Sequence, residues 1–192
     1  DTRVTGKLLM HYKITTPTIS YHEHSGENKV NQVIELLAAG KNLALVSDAG
    51  TPGISDPGGK LIQAVLEKLD GAAQIESVPG PSAVTASLSI SGMPTDKFIF
   101  MGFPPHKKGR QTFIRKILLS EWPVVAYESK HRIIKFLEEL KQAAEENKEV
   151  NKKGEVVLKP INLTSVVVCR ELSKMHETVY RGEIDRIIEK IK

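Results

Sequence analysis

Apolar and polar residues alternate along the first half of the chain with two different periods. Apolar side chains spaced by three and four residues mark amphipathic helices, and short continuous apolar runs mark strands covered on both faces. The pattern predicts helices over residues 30–37, 61–69 and 82–91, and strands over 43–46 and 75–78. Strands and helices that alternate at this spacing are typical of βαβ units with a largely parallel sheet.

The second half repeats the alternation. Strands are predicted over residues 98–103, 124–127 and 166–169, and helices over 110–119, 132–146 and 184–191. Residues 147–159 have mixed charges and are interpreted as a solvated linker or loop. Glycine and proline interrupt the pattern at residues 92–95. We therefore expect two small α/β domains, residues 1–95 and 96–192.

Composition and charge narrow the class of protein. The 192 residues carry 27 Lys and Arg against 23 Asp and Glu, a net charge of +4 that many enzymes share and that does not by itself indicate RNA. Every apolar run is too short for a membrane span. The single cysteine, Cys169, excludes an intramolecular disulfide and a cysteine-cluster zinc site, and its apolar surroundings favour a buried small residue over a nucleophile. We expect a cytoplasmic protein.

A glycine- and proline-rich loop follows the predicted strand 43–46. It spans the twelve residues 47–58, and most connections of this kind have about two to six. Its place at the carboxyl edge of the sheet is where open α/β folds bind ligands, and glycines let backbone amides approach a ligand closely. Glycine, proline and aspartate are also ordinary turn residues, but the length favours a ligand site.

A second loop, Pro79-Gly80-Pro81-Ser82-Ala83, follows the next predicted strand. It opens a helix, and helix N-termini present free N–H groups to acceptors; Ser82 could equally only cap that helix. Two such loops on neighbouring strands converge on one edge of the sheet. Neither loop matches a P-loop or a Gly-x-Gly-x-x-Gly fingerprint, which weakens NTPase and dehydrogenase interpretations.

Basic residues concentrate between residues 104 and 116, a stretch with five of them and no acidic residue. Such a stretch suits phosphate contacts whose strength falls with salt, although a solvated surface has the same composition. His22 and His24 flank Glu23, but no third ligand is evident, so we expect no metal site.

The two loops carry a resemblance to a known family. The segments SDAGTPGISDPG and VPGPSAV are similar to those of the bacterial small-subunit rRNA 2′-O-methyltransferase I family, which has the tetrapyrrole-methylase fold. The likeness extends to residues 20–24, 102–104, 127–132 and 169–174. It implies two α/β domains with a crevice between them, S-adenosyl-L-methionine as the cofactor, a cytidine 2′-hydroxyl of small-subunit rRNA or the 30S subunit as the acceptor, and a homodimer.

The resemblance also implies roles for individual residues. Cofactor contacts would fall on Asp48, Ala49, Gly50, Thr51, Ile54, Ser82 and Ala83. Substrate contacts would fall on Arg3, His22, Lys107, Lys108, Arg110, Arg132 and Arg170. A base or cation that assists the ribose hydroxyl would be Glu128 or Lys174, with Glu171 and His22 as further options. The alternative for Glu128–Arg132 and Arg170–Glu171 is a structural ion-pair network.

Family members normally begin with a strand and a Thr-Pro-Ile-Gly-Asn-type loop, whereas this chain starts at Asp1-Thr2-Arg3, so we expect a fragment shortened at both ends. Two alternatives to rRNA methylation stay open. One is a methylase of the same fold that acts on a tetrapyrrole or another small molecule, and the other is a truncated, non-catalytic fragment that binds RNA or a partner.

Overall fold

A computed structural model describes residues 2–22, 25–146, 148–150, 156–158 and 166–192. Asp1, Glu23 and His24 lie outside this range, as does most of the predicted linker 147–159. The chain divides into two compact units, Asp1–Ser82 and Ala83–Lys192. These compact units need not coincide with domains, so the predicted domain boundary near residue 95 stays a prediction.

Helices and strands alternate along only part of the described chain. The helices are α1 (Thr2–His11), α2 (Glu27–Ala38), α3 (Gly59–Leu69), α4 (Ala83–Ser89), α5 (Arg110–Leu118), α6 (Ile133–Glu145) and α7 (Ile184–Ile191). The strands are β1 (Ile99–Phe100), β2 (Val124–Val125), β3 (Lys148–Val150), β4 (Val156–Leu158), β5 (Val166–Arg170) and β6 (Thr178–Gly182). The predicted helices are confirmed, whereas α1 and β6 were not predicted.

In the first unit, helix α2 packs on helix α3. Val33 of α2 and Leu61 and Val65 of α3 are buried, because apolar residues four apart lie on one face of a helix. At the edge of this contact, Lys68 Nζ donates a hydrogen bond to Asn31 Oδ1 at 2.7 Å. Helix α3 begins directly after the loop 47–58 and therefore fixes where that loop ends.

The prediction of strands over residues 43–46 and 75–78 is wrong. Neither segment belongs to a sheet among the described residues. An extended segment becomes a strand only through a hydrogen-bonded neighbour, and no such ladder forms at either segment in the described ranges. Their apolar side chains are exposed, with Val78 at 88%. The apolar sequence is therefore present without the sheet that it predicts.

The second unit contains one βαβ arrangement. Strands β1 and β2 pair in parallel, with Ile99 opposite Val124, and α5 lies between them in sequence. The pairing continues past the assigned strands, because Met101 N donates to Val125 O and Tyr127 N donates to Gly102 O, both at 2.9 Å. The predicted strands 98–103 and 124–127 are thus confirmed as a parallel pair.

The other strand pairs are antiparallel, which corrects the prediction of a largely parallel sheet. Strand β5 pairs with β6, and Val168 lies opposite Tyr180. Strand β3 pairs with β4 within the segment that we interpreted as a linker. A short connection between neighbouring strands favours antiparallel pairing, since a parallel pair needs a longer crossover.

The core of the second unit lies among helices α5, α6 and α7. Its buried residues are Phe113, Ile114, Phe136, Leu137, Leu140, Ile184, Ile187 and Ile188. Ile114 and Ile187 are almost wholly inaccessible, and Phe113 contacts Phe136 edge-on. Helix α7 and strands β5 and β6 also contact each other, so the antiparallel pair belongs to the same packed unit. The chain is mixed α/β, and no helix in its described part is long and apolar enough to cross a membrane.

Candidate functional site

The loop 47–58 has a backbone that ordinary residues rarely adopt. Gly50, Gly53 and Gly58 have φ angles of 69°, 83° and 148°. A Cβ built on Gly58 would lie 2.9 Å from Leu45 Cδ2 and 3.3 Å from Gly53 N. The loop therefore turns back on itself where it meets α3, and glycine is required there both for its φ angle and for space.

The two predicted loops contact each other within the first unit. Thr51 Oγ1 donates a hydrogen bond to Pro81 O at 3.2 Å, across thirty residues of sequence. A Cβ on Gly50 would lie 3.9 Å from the same carbonyl oxygen. The first loop thus approaches the second through a glycine and a short hydroxyl side chain. The two loops therefore meet as predicted, although the described residues form no sheet at the segments that the loops follow.

The residues predicted to contact the cofactor are mostly accessible. Asp48, Gly50 and Ile54 are exposed, and Thr51 and Ser82 are half-buried. Ala49 is exposed, and its carbonyl oxygen accepts a hydrogen bond from Ser47 Oγ at 3.0 Å. Ala83 is the first residue of α4 and is exposed. Small side chains, an accessible carboxylate and turned backbone suit a polar ligand with hydroxyl and ammonium groups.

Glu128 lies in a buried cluster of ion pairs in the second unit. Its side chain is 2% exposed, and Oε1 lies 2.8 Å from Arg132 Nη2. Oε1 also accepts a hydrogen bond from Ser129 N at 2.7 Å. The predicted Glu128–Arg132 ion pair is therefore present, whereas the role of Glu128 as a base stays a prediction.

Arg110 is internal and not part of an exposed patch. Its side chain is 9% exposed, and Nε donates to Glu139 Oε2 at 2.6 Å. Nη1 donates to Pro105 O at 3.1 Å and lies 3.6 Å from Glu128 Oε2. Arg110 Nη2 and Glu128 Oε2 are both buried without a hydrogen-bond partner among the described residues. A guanidinium placed in this way neutralises two carboxylates, and contact of Arg110 with an RNA phosphate stays a prediction.

Arg132 reaches the surface from the same cluster. Its side chain is 25% exposed, Nε donates to Ser129 Oγ at 3.2 Å, and Nη1 lies 2.8 Å from Nε2 of His106. Among the predicted substrate contacts that are not buried, Arg132 is held in a defined orientation by side-chain contacts with Glu128, Ser129 and His106.

The other predicted substrate residues are exposed and lie on different elements. Lys107 and Lys108 follow His106 before α5, and Arg170 ends β5. Arg3 lies on α1, and His22 donates its backbone N–H to Ser25 Oγ at 2.9 Å. The structure brings Arg110 and Arg132 together through Glu128. Contact of the remaining residues with RNA stays a prediction.

Lys174 lies in the seven-residue connection between β5 and β6, residues 171–177. Its Nζ is 3.3 Å from Glu171 Oε2, and its backbone N–H donates to Glu171 O at 2.9 Å. Glu171 and Ser173 have φ angles of 54° and 63°, in the left-handed region, and Ser173 N donates to Glu177 Oε2 at 2.6 Å. The connection thus presents a cation whose side chain is largely exposed.

Cys169 has the properties of a structural residue. It lies on β5, is partly buried, and pairs in register with Val179. Burial raises the pKa of the Cys169 thiol, against the opposing effect of Arg181. A protonated thiol is a poor nucleophile. In the described ranges, no group of three or more potential ligands could hold a metal ion.

Two residues that contact the predicted arginines were not predicted, the partly buried Glu139 and the exposed His106. Glu139 contacts Arg110 across twenty-nine residues, and His106 contacts Arg132 across twenty-six. No local spacing relates residues so far apart. The only signal was indirect, because Glu139 lies on the same turn of α6 as the buried Phe136 and Leu140 and is itself partly buried.

Comparison with known proteins identifies the class. A family model described as Tetrapyrrole (Corrin/Porphyrin) Methylases matches residues 2–188, almost the whole chain. Together with the mixed α/β second unit and the paired loops, this match makes the chain a member of the tetrapyrrole methylases.

Individual relatives define the family more closely. Proteins named Ribosomal RNA small subunit methyltransferase I are similar over 98–100% of this chain: those of Synechocystis sp. (40% identical), Thermotoga maritima (33%) and Hydrogenobaculum sp. (38%). The chain covers 61%, 76% and 75% of these proteins, respectively. It belongs to the ribosomal RNA small subunit methyltransferase I family, and it spans between about three fifths and three quarters of these relatives' length.

Proposed function

We propose that this chain contributes cofactor and substrate contacts to an enzyme that transfers a methyl group from S-adenosylmethionine to the ribose 2′-hydroxyl of a cytidine in small-subunit rRNA. The observation that supports it most is the contact between Thr51 and Pro81, which joins the two loops that the family resemblance assigns to the cofactor. The relatives named as ribosomal RNA methyltransferases support the substrate class.

The residues of the first loop fit a nucleoside-sulfonium cofactor. Gly50 and Gly53 carry no side chain at exposed, left-handed positions, so ligand atoms can approach the backbone closely. Asp48 is an accessible acceptor for an ammonium or a ribose hydroxyl. In this proposal Ala49, Thr51 and Ile54 line the same loop, and Ser82 and Ala83 contribute from the second segment.

When bound, S-adenosylmethionine supplies an activated methyl group. The residues of this chain orient the acceptor and stabilise charge, because an in-line displacement depends strongly on positioning. Lys174 has the exposed ammonium that suits stabilisation of a developing ribose oxyanion. Arg3, His22, Lys107, Lys108 and Arg170 offer accessible groups for RNA phosphates.

Two further parts of the proposal rest on the family resemblance. One is the organisation as two α/β domains. The other is a homodimer, for which sedimentation of the protein at micromolar concentration is the direct test. A clean monomer would contradict the dimer and leave the proposed chemistry unaffected.

The experiment that tests the function uses the natural gene product containing this chain. Purified small ribosomal subunits that lack the modification are incubated with S-adenosylmethionine carrying a labelled methyl group. We expect label in the rRNA at a cytidine ribose, and we expect no label when the subunits are already modified. Absence of transfer at saturating cofactor, together with absence of binding heat in calorimetry, would contradict the proposal.

Salt dependence separates the RNA methylase from a small-molecule methylase of the same fold. The affinity of an RNA-binding enzyme falls steeply as salt rises, because binding releases counterions from the phosphates. A small-molecule enzyme would not bind rRNA in a salt-sensitive manner. The match to tetrapyrrole methylases is the observation that makes this alternative worth testing.

A further inference from the structure

The guanidinium of Arg132 is fixed before any ligand arrives. Its nitrogens contact Glu128, Ser129 and His106, one partner each for Nη2, Nε and Nη1. An arginine has five N–H donors, and the contacts with Glu128 and Ser129 engage two of them, while Nη1 lies 2.9 Å and 2.8 Å from the two ring nitrogens of His106. The side chain is still 25% exposed, so that part of it faces solvent.

Glu128 holds this arrangement from the interior. Its side chain is 2% exposed, and Oε1 contacts both Arg132 and Ser129 N. A carboxylate that is covered in this way and paired with a cation is poorly placed to take a proton from a hydroxyl on a bulky substrate. Its geometry instead fixes the orientation of Arg132, which removes rotamer freedom that binding would otherwise have to restrict.

The surroundings of Arg132 favour an anion. Arg132 is the N-cap residue of α6, a thirteen-residue helix without an acidic residue in its first turn and without a side-chain cap hydrogen bond. The partial positive charge of a helix N-terminus adds to the attraction. Lys107 and Lys108 are exposed and follow His106 directly in sequence. A planar guanidinium fork matches the oxygens of a phosphate better than an ammonium does.

We propose that Arg132 is a preorganised contact for a phosphodiester of the substrate RNA, and that Glu128 is the positioning residue that holds it. The identity of the ligand as RNA rests on the proposed function. The preorganised anion contact itself follows from the geometry of the second unit.

The test compares variants of the natural gene product in rRNA binding and in steady-state kinetics. Arg132→Ala removes the cation, Arg132→Lys keeps the charge without the fork, and Glu128→Gln removes the charge of the positioning residue. The matched control is Arg186→Ala, because Arg186 is an exposed arginine of the same unit on α7. Circular dichroism and thermal melting establish that each variant is folded. If Glu128→Gln does not fold, the Arg132 variants still test the proposal, because Arg132 is partly exposed.

We expect Arg132→Ala and Arg132→Lys to raise the KM for RNA by about tenfold, with kcat within about twofold. The slope of log affinity against log salt should become shallower by about 0.7–0.9 in Arg132→Ala, the share of one phosphate, and stay unchanged in Arg186→Ala. Glu128→Gln should raise the KM by a smaller factor. It should have no further effect on the KM in the Arg132→Ala background, since a positioning residue acts only through its partner.

Two results would overturn the inference while the proposed function stands. One is methylation by Arg132→Ala with unchanged KM and salt slope. The other is a fall in kcat of about 10²-fold or more in Glu128→Gln that persists in the Arg132→Ala background, which would make Glu128 a proton acceptor.

A second arm separates this inference from a failure of the proposed function. Inorganic pyrophosphate is titrated while the side-chain Nε–H signal of Arg132 is followed by NMR, with Arg132→Lys assigning the signal. A saturable shift is expected. If the signal shifts but no rRNA is methylated, the function is wrong and the anion site remains; if the signal never moves, the site is wrong.

Discussion

Replacement of Gly58 by alanine tests the shape of the first loop most sharply. Gly58 has a φ of 148°, and a Cβ there would lie 3.3 Å from the backbone nitrogen of Gly53. The shorter contact, 2.9 Å to Leu45 Cδ2, is relieved easily because it involves the end of a flexible side chain. The main cost is therefore the backbone conformation, about 1–3 kcal/mol for a residue forced into a sparsely populated region.

Part of that cost is offset by an effect on the unfolded chain. Alanine lowers the conformational entropy of the unfolded state, which raises the free energy of unfolding by about 0.4–1 kcal/mol. The net loss in free energy of unfolding should therefore be about 1–2 kcal/mol. For a protein of this size each kcal/mol lowers Tm by about 2–4 °C. The neighbouring substitution Gly59→Ala is the matched control, since a Cβ there meets no atom within 4 Å and Gly59 is helical. Alanine in a helix should stabilise by about 0.5–1 kcal/mol.

Thermal melting and calorimetry with S-adenosylmethionine give the two readouts. Gly58→Ala should melt earlier and bind the cofactor at least several-fold more weakly, because the loop can no longer close onto α3 in the same path. Gly59→Ala should melt at the same temperature or later and bind normally. Equal stability and affinity of Gly58→Ala and the unaltered protein would refute the reasoning, and so would an equal loss in both variants.

Three further predictions concern the core, the loop contact and the thiol. Ile187→Ala should lower the free energy of unfolding by about 2–5 kcal/mol in urea titration, because Ile187 is 1% exposed; a loss below about 1 kcal/mol would contradict the packing described here. Thr51→Val should weaken cofactor binding a few-fold by removing the hydroxyl that donates to Pro81 O, and Thr51→Ser should restore it. The raised pKa of Cys169 means that the folded protein keeps this thiol protonated to higher pH than the unfolded chain does. The stability that the protonated Cys169 thiol contributes is therefore complete below the ordinary thiol pKa and is lost as pH rises through the raised pKa. An aromatic disulfide reagent at pH 8 should react faster with the thiol of the urea-unfolded protein than with that of the folded protein.

Local sequence patterns predicted the helices and the parallel pair well. Helices α2, α3 and α6 bury the faces that their apolar spacing marks, and β1 and β2 flank α5 as a βαβ unit should. Such features depend on residues close in sequence or on a single short crossover. The positions of the two loops are local features of the same kind, because glycine and proline mark them directly in the sequence.

The failures have a different cause. Residues 43–46 are apolar and residues 75–78 begin and end with an apolar residue, but a strand also requires a hydrogen-bonded neighbour, which no local pattern guarantees. The buried cluster shows the same limit, since the partners of Arg110 and Arg132 are more than twenty residues away. A basic residue in a basic stretch was therefore interpreted as a surface contact, although the fold buries Arg110 between two carboxylates.

The account depends on both loops binding the methyl donor together, and backbone NMR during a titration with S-adenosylmethionine tests this most directly. The largest shifts should fall on the amides of Gly50, Gly53 and Gly80, while Gly71 and Gly92, which lie outside the loops, should hardly move. Saturation that leaves the amides of either loop in place, or that shifts only residues elsewhere, would contradict the account.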